Sequence, residues 1–134
     1  MAIVRYFVDD IDKALAFYVD RLEFTLAMRW GPPFAAVSKG DLMLWLSSPE
    51  TSAARPMPDG RKPGPGGWNR LVLEVADLEG TVAKLRADGV VFRNDIITGP
   101  GGRQILAEDG FGNVVELFEP PQGVRVTALG PTTR

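Results

Sequence analysis

The chain contains neither histidine nor cysteine. Any chemistry it performs must therefore rest on carboxylates, lysine, guanidinium groups, tyrosines, hydroxyls, backbone amides or a bound cofactor. Histidine bases, serine–histidine–aspartate triads and imidazole or thiolate metal ligands are excluded. The residues that could still do chemistry recur on one side of an alternating pattern. In "NRLVLEVADLEG", Leu71, Leu73 and Val75 alternate with Arg70, Val72 and Glu74. Successive strand residues point to opposite faces, so one face is apolar and the other holds an arginine and a glutamate around a valine.

Three other stretches divide in the same way. Val4, Tyr6 and Val8 oppose Ile3, Arg5 and Phe7; Leu42, Leu44 and Leu46 oppose Met43, Trp45 and Ser47; Val115 and Leu117 oppose Val114, Glu116 and Phe118. The first member of each pair is expected to pack beneath helices. The second set mixes aromatics, methionine and isoleucine with two arginines and two glutamates, which suits a ligand pocket better than a wet sheet surface. Arg5, Phe7, Met43, Trp45, Arg70, Val72 and Phe118 are the candidate ligand-binding residues. Arg5 or Arg70 could meet a carboxylate or phenolate, and the rings offer stacking surfaces. Glu116 and Glu74 are the candidate bases if the protein is an enzyme, since a carboxylate in a part-apolar site can be tuned for proton transfer. The competing reading of both glutamates is an ion pair with Arg5 or Arg70.

The elements that must position these side chains follow from pattern and punctuation. "AIVRYFV" predicts a strand, and "DDIDKALAFYVDRL" a helix capped by Asp9 or Asp10, with Ile11, Ala14, Leu15, Tyr18 and Leu22 inward. "FTLAMRW" and "FAAVSKGDLMLWLSS" predict three strands, the last two turning at Lys39–Asp41. After a linker rich in Pro, Gly, Ser and Ala, "WNRLVLEV" predicts a strand and "DLEGTVAKLRADG" a helix from cap Asp77 to stop Gly89, with Leu78, Val82 and Leu85 inward. "VVFRNDIIT", "RQILAE" and "NVVELFE" complete the series, the last two joined by a turn at Asp109–Asn113. "VRVTAL" in the tail could pair with a sheet edge.

This programme occurs twice. Val8, Asp10, Ile11, Leu15 and Tyr18 stand 67 positions before Val75, Asp77, Leu78, Val82 and Leu85, half of the 134-residue length. The expected organisation is a first module over residues 1–48, a linker over 49–67, a second module over 68–120 and a tail over 121–134, all in one structural domain. Neither module alone covers both faces of its sheet.

Hydrophobic content of 45% and charged content of 24% are ordinary for a globular chain. A net charge of −2 without a basic run provides no footprint for nucleic acid or for an anionic membrane. The first residues lack the pattern of a signal peptide or a spanning helix, so a cytoplasmic location is the default.

"YFVDDIDKALAFYVDRLEF" and "GPGGRQILAEDGFGNVVELFEP" resemble the vicinal oxygen chelate superfamily, the glyoxalase, bleomycin-resistance and extradiol-dioxygenase group, over about residues 1–120. The second stretch resembles the family's glycine-rich lead-in and Asp-x-x-Gly-Asn turn. The resemblance implies an α+β fold of two βαβββ modules forming a cupped mixed sheet or half-barrel, and a homodimer. In metal-dependent members the outer strands of each module supply His, Glu or Gln to a divalent ion. Those positions fall here on Ile3, Trp45, Arg70 and Glu116, and only Glu116 can act as a ligand. The expectation is therefore no metal and no other cofactor, with Arg70 facing Glu116 where relatives hold the ion. The function expected is a metal-free binder of a small organic molecule, such as one that sequesters an aromatic or acidic natural product. The alternative is a lyase, isomerase or dioxygenase-like enzyme. It would use Glu116 or Glu74 without metal, or an atypical divalent site near Asp41, Glu108 and Asp109.

Overall fold

A computed structural model describes residues 2–122. The expected tail strand "VRVTAL" lies outside the described residues. The chain divides into two compact units, one comprising residues up to Gly67 together with Phe111–Asn113, the other running from Trp68 to Gly110 and resuming at Val114.

The first unit opens with β1 (Ala2–Phe7), α1 (Ile11–Leu15) and a π-helical stretch (Ala16–Arg21), followed by β2 (Thr25–Trp30), β3 (Phe34–Lys39) and β4 (Leu42–Ser47). Its sheet has the order β1-β4-β3-β2, with β1 parallel to β4 and the other pairs antiparallel. Asp10 is the cap, its carboxylate accepting from the Lys13 amide. The predicted single α-helix changes winding halfway, and the Leu22 amide reaches back to the Phe17 carbonyl. That winding turns both Phe17 and Tyr18 inward, while Leu15 is only half-buried. Tyr18 is fully buried and meets Phe17, Phe24 and Tyr6 edge-on at 4.9, 5.9 and 6.3 Å. With Val8, Ile11, Leu44 and Leu46 these rings form the core. Burying apolar surface at about 25 cal/mol per Å² is its main stabilising contribution.

The linker contains a short 3-10 turn, Ser52–Ala54. It reaches the second unit through Gly66 and Gly67, whose positive φ angles of 121° and 106° are open to glycine without penalty.

The second unit repeats the plan with β5 (Leu71–Glu74), α2 (Leu78–Ala87), β6 (Ile97–Gly99), β7 (Gly102–Glu108) and β8 (Val114–Glu119). The order is β5-β8-β7-β6, again with the first strand parallel to the last. Asp77 caps α2 by accepting from the Gly80 amide, and Leu78, Val82 and Leu85 are buried as their spacing predicts. They cover Leu73, Ile105, Ala107, Val115 and Leu117.

Two predicted strands are shorter than expected. Residues 69 and 70 stand outside β5, whose ladder starts at the Leu71–Val115 pair once the chain has left the glycine corner. "VVFRNDIIT" keeps only an isolated bridge at Phe92 and the start of β6. Between them the Asn94 side chain takes the Leu106 amide while the Arg93 amide donates to the Leu106 carbonyl. An asparagine side chain thus replaces a ladder bond and bends the strand away.

Candidate functional site

In the first unit, β1 and β4 run in register with Ile3 beside Met43, Arg5 beside Trp45, and Phe7 beside Ser47. On β3, Phe34 and Ala36 stand opposite Ser47 and Trp45; on β2, Trp30 and Met28 stand opposite Phe34 and Ala36. Partners in register share a face. The mixed face of the sequence pattern therefore extends across all four strands.

On that face the Arg5 guanidinium lies over the Trp45 indole, 5.0 Å from the ring centroid. Its Nη1 donates to the Ser47 hydroxyl at 2.9 Å. Ser47 is fully buried, so one corner of the guanidinium is anchored. Phe34 meets Trp45 edge-on at 5.7 Å and fixes the tilt of the indole. An open cavity of about 440 Å³ is lined by Arg5, Trp45, Phe34 and Pro33, with Met28 and Trp30 from β2. Thr51 and Ser52 from the start of the linker complete it. Trp30 is 72% exposed, unusual for so large an apolar ring.

Of the seven predicted ligand-binding residues only Arg5 and Trp45 line this cavity; within this unit Phe7 and Met43 do not. Met43 is half-buried beside Ile3. Phe7 is half-buried too, and its carbonyl accepts from Asn113. Met28, Trp30, Pro33 and Phe34 were not singled out by the alternation. The β2–β3 register slips between Leu26 and Met28, and a bulge of this kind conceals period two.

In the second unit the equivalent position is occupied by an ion pair. Arg70 donates from Nε and Nη2 to Glu116 Oε1 at 3.1 and 2.9 Å. Arg70 Nη1 also donates to the Trp68 carbonyl at 3.3 Å. The Gln104 amide, turned to satisfy both of its groups, donates to Glu116 Oε2 at 2.7 Å. Glu116 is buried, and donors hold both of its oxygens. In register, Val72 flanks Glu116 and Glu74 flanks Phe118. Val72 is exposed, whereas a side chain placed on Gly102 would come within 2.9 Å of the Phe118 ring. Phe118 is thus packed over backbone.

The positions that hold metal in relatives do not fit a divalent ion here. Ile3 is hydrocarbon, Trp45 offers only an N–H donor, and Arg70 is a permanent cation. Glu116 is already engaged. Among the described residues no three His, Cys, Asp or Glu side chains gather into a group that could hold a metal.

A second polar cluster escaped the sequence reading. Arg103 on β7 donates to Glu119 at 2.7 and 2.9 Å and to Glu79 on α2 at 2.9 Å. Glu119 Oε2 accepts from the Leu78 amide at 3.0 Å, capping the first turn of α2 from the sheet. That backbone bond, reinforced by Arg103, holds the Glu119 carboxyl below its usual range. Hydrogen bonds to Glu119 foremost and then to Glu79 raise Arg103 above its own. Glu119 continues the Val115–Leu117 row, and a charge at the end of an apolar row was the available signal.

A family model for the Glyoxalase/Bleomycin resistance protein/Dioxygenase superfamily matches residues 1–117, and the chain belongs to that superfamily. Among solved structures it is similar to an antibiotic binding protein from Streptomyces sp. CB03234, at 30% identity and a TM-score of 0.69, over 88% of this chain and 93% of that one. A superfamily member from Sphaerobacter thermophilus DSM 20745 matches at 28% identity and a TM-score of 0.69, over 89% and 95% of the two chains. A lactoylglutathione lyase from Agrobacterium tumefaciens shares the fold, with a TM-score of 0.71 at 21% identity over 89% and 92%. No curated protein matches the sequence.

Proposed function

We propose that this protein is a metal-free binder of a small, partly apolar organic molecule, of the kind that sequesters an aromatic or acidic natural product. The observation that carries the reading is the groove of the first unit, lined by Trp30, Phe34 and Trp45 together with the Arg5 guanidinium that lies over Trp45. Apolar walls with one or two fixed polar groups are the usual makeup of a small-molecule site. The likeness to an antibiotic binding protein supports binding over turnover. So does the setting of Glu116, whose two oxygens already accept, one from Arg70 and the other from Gln104. The biological unit in this reading is a homodimer. No helix among the described residues is long and apolar enough to cross a membrane.

Two of the three tryptophans line the groove, so intrinsic fluorescence reports on it directly. Titration with planar polycyclic compounds is expected to give a saturable change that Trp45→Leu weakens. Absence of saturation with every such compound would sink the binding reading. Turnover abolished by Glu116→Gln, with ligand affinity retained, would favour an enzyme instead.

A further inference from the structure

Arg5 differs from several other arginines in what it touches. On the strands Arg29 and Arg103 meet a carboxylate at 2.6 and 2.7 Å, and Arg70 and Arg93, outside the strands, do so at 2.9 and 3.3 Å. Among the described residues Arg5 meets a neutral hydroxyl and an indole face. None of the residues lining its cavity is acidic. An arginine held over an aromatic ring with no counter-charge keeps N–H groups available in a fork that matches a carboxylate.

We propose that the groove selects a planar aromatic acid, its ring lying along Trp30 and Trp45 and its carboxylate or phenolate on the open edge of Arg5. This inference rests on the binding reading above and narrows it to one ligand class and one anion seat. Arg70 is not that seat, because Glu116 already neutralises it. Ser47 sets the orientation of Arg5 from within the sheet, and Trp45 supports the guanidinium from below. A neutral carboxamide of the same shape offers the guanidinium one carbonyl acceptor where a carboxylate offers two oxygens and a charge, so its bond to Arg5 is the weaker. A cationic ligand would add repulsion.

The test compares anthracene-2-carboxylate with anthracene-2-carboxamide by calorimetric titration of the full chain at neutral pH. The expected result is a carboxylate affinity at least about tenfold above the amide, a gap of about 1.4 kcal/mol. Arg5→Gln is expected to bring the ratio close to one, and Arg5→Lys to retain a preference for the acid. Arg5 is exposed on an edge strand, and circular dichroism of both variants verifies their folding. Equal binding of acid and amide by the native chain would overturn the charge selection and leave the groove as a binding site. A preference that survives Arg5→Gln would overturn the assignment of Arg5. Binding of neither probe would overturn this inference, while the binding reading beneath it is decided by the wider fluorescence titration.

Discussion

Asn113 donates from Nδ2 to the Phe7 carbonyl at 2.8 Å, a bond that spans 106 residues of sequence. Its Oδ1 accepts from the Gly66 amide at 2.9 Å. One buried amide side chain therefore secures both the end of β1 and the glycine corner that ends the linker. Asn113→Ala is expected to destabilise the fold by about 1–2 kcal/mol, since it takes the partner from two part-buried backbone groups. Urea denaturation measures the loss. A change under about 0.5 kcal/mol would show that water replaces the side chain at once.

The Arg70–Glu116 pair is expected to behave as a buried charge pair whose members need each other. Arg70→Met should cost about 2–3 kcal/mol, below the usual figure for a fully buried pair because the Arg70 side chain is 29% exposed. Combining Arg70→Met with Glu116→Leu removes both charges together, and this double variant should recover most of the loss. A double-mutant cycle with additive losses would show that the two groups do not interact.

Stability should depend on Glu119 in acid. Its folded carboxyl titrates below the ordinary value of 4.5, so its stabilising contribution is fully present above that value. The contribution disappears as pH falls through the lower, folded value. Denaturation midpoints followed downward from neutral pH should decline in that window, and Glu119→Gln should flatten part of the decline. Arg103 stays charged throughout, so none of the slope is expected to come from its titration. An unchanged slope in Glu119→Gln would assign the acid sensitivity to other carboxylates.

Gly102 is the position in "GPGG" where backbone geometry leaves no alternative. Its φ is +136°, and an added Cβ would lie 2.5 Å from the Glu119 carbonyl oxygen and 2.9 Å from the Phe118 ring. Gly102→Ala should therefore destabilise by about 2–4 kcal/mol through strain and repacking. Gly101→Ala, with open space around it, is the matched control and should cost under about 1 kcal/mol.

Much of the fold was legible because the chain states its plan twice. The aspartate caps, the inward helix residues and the apolar strand faces each obey a period that burial enforces, and Leu44, Leu46, Leu73, Val115 and Leu117 lie buried accordingly. The ion pair at Arg70 could be anticipated, since an arginine and a glutamate occupied positions that topology brings together. The π winding after Leu15 could not, because α and π spacing differ by one residue in a short helix. The groove was half legible. Arg5 and Trp45 stood out, whereas Trp30 lay on β2, whose bulge breaks the alternation, and Phe34 opened the apolar run Phe34–Val37, which does not alternate. Asn113 resembled an ordinary turn residue, and only the fold reveals what its side chain reaches.

The two modules place Trp45 and Glu116 at equivalent points of their sheets, beside Arg5 and Val72 respectively. A duplicated fold offers two equivalent seats, yet Arg70 and Gln104 fill the second one from within its own unit. Internal symmetry of the backbone thus coexists with asymmetry in chemistry. Ligand titrations should accordingly saturate at about one equivalent per chain, not two.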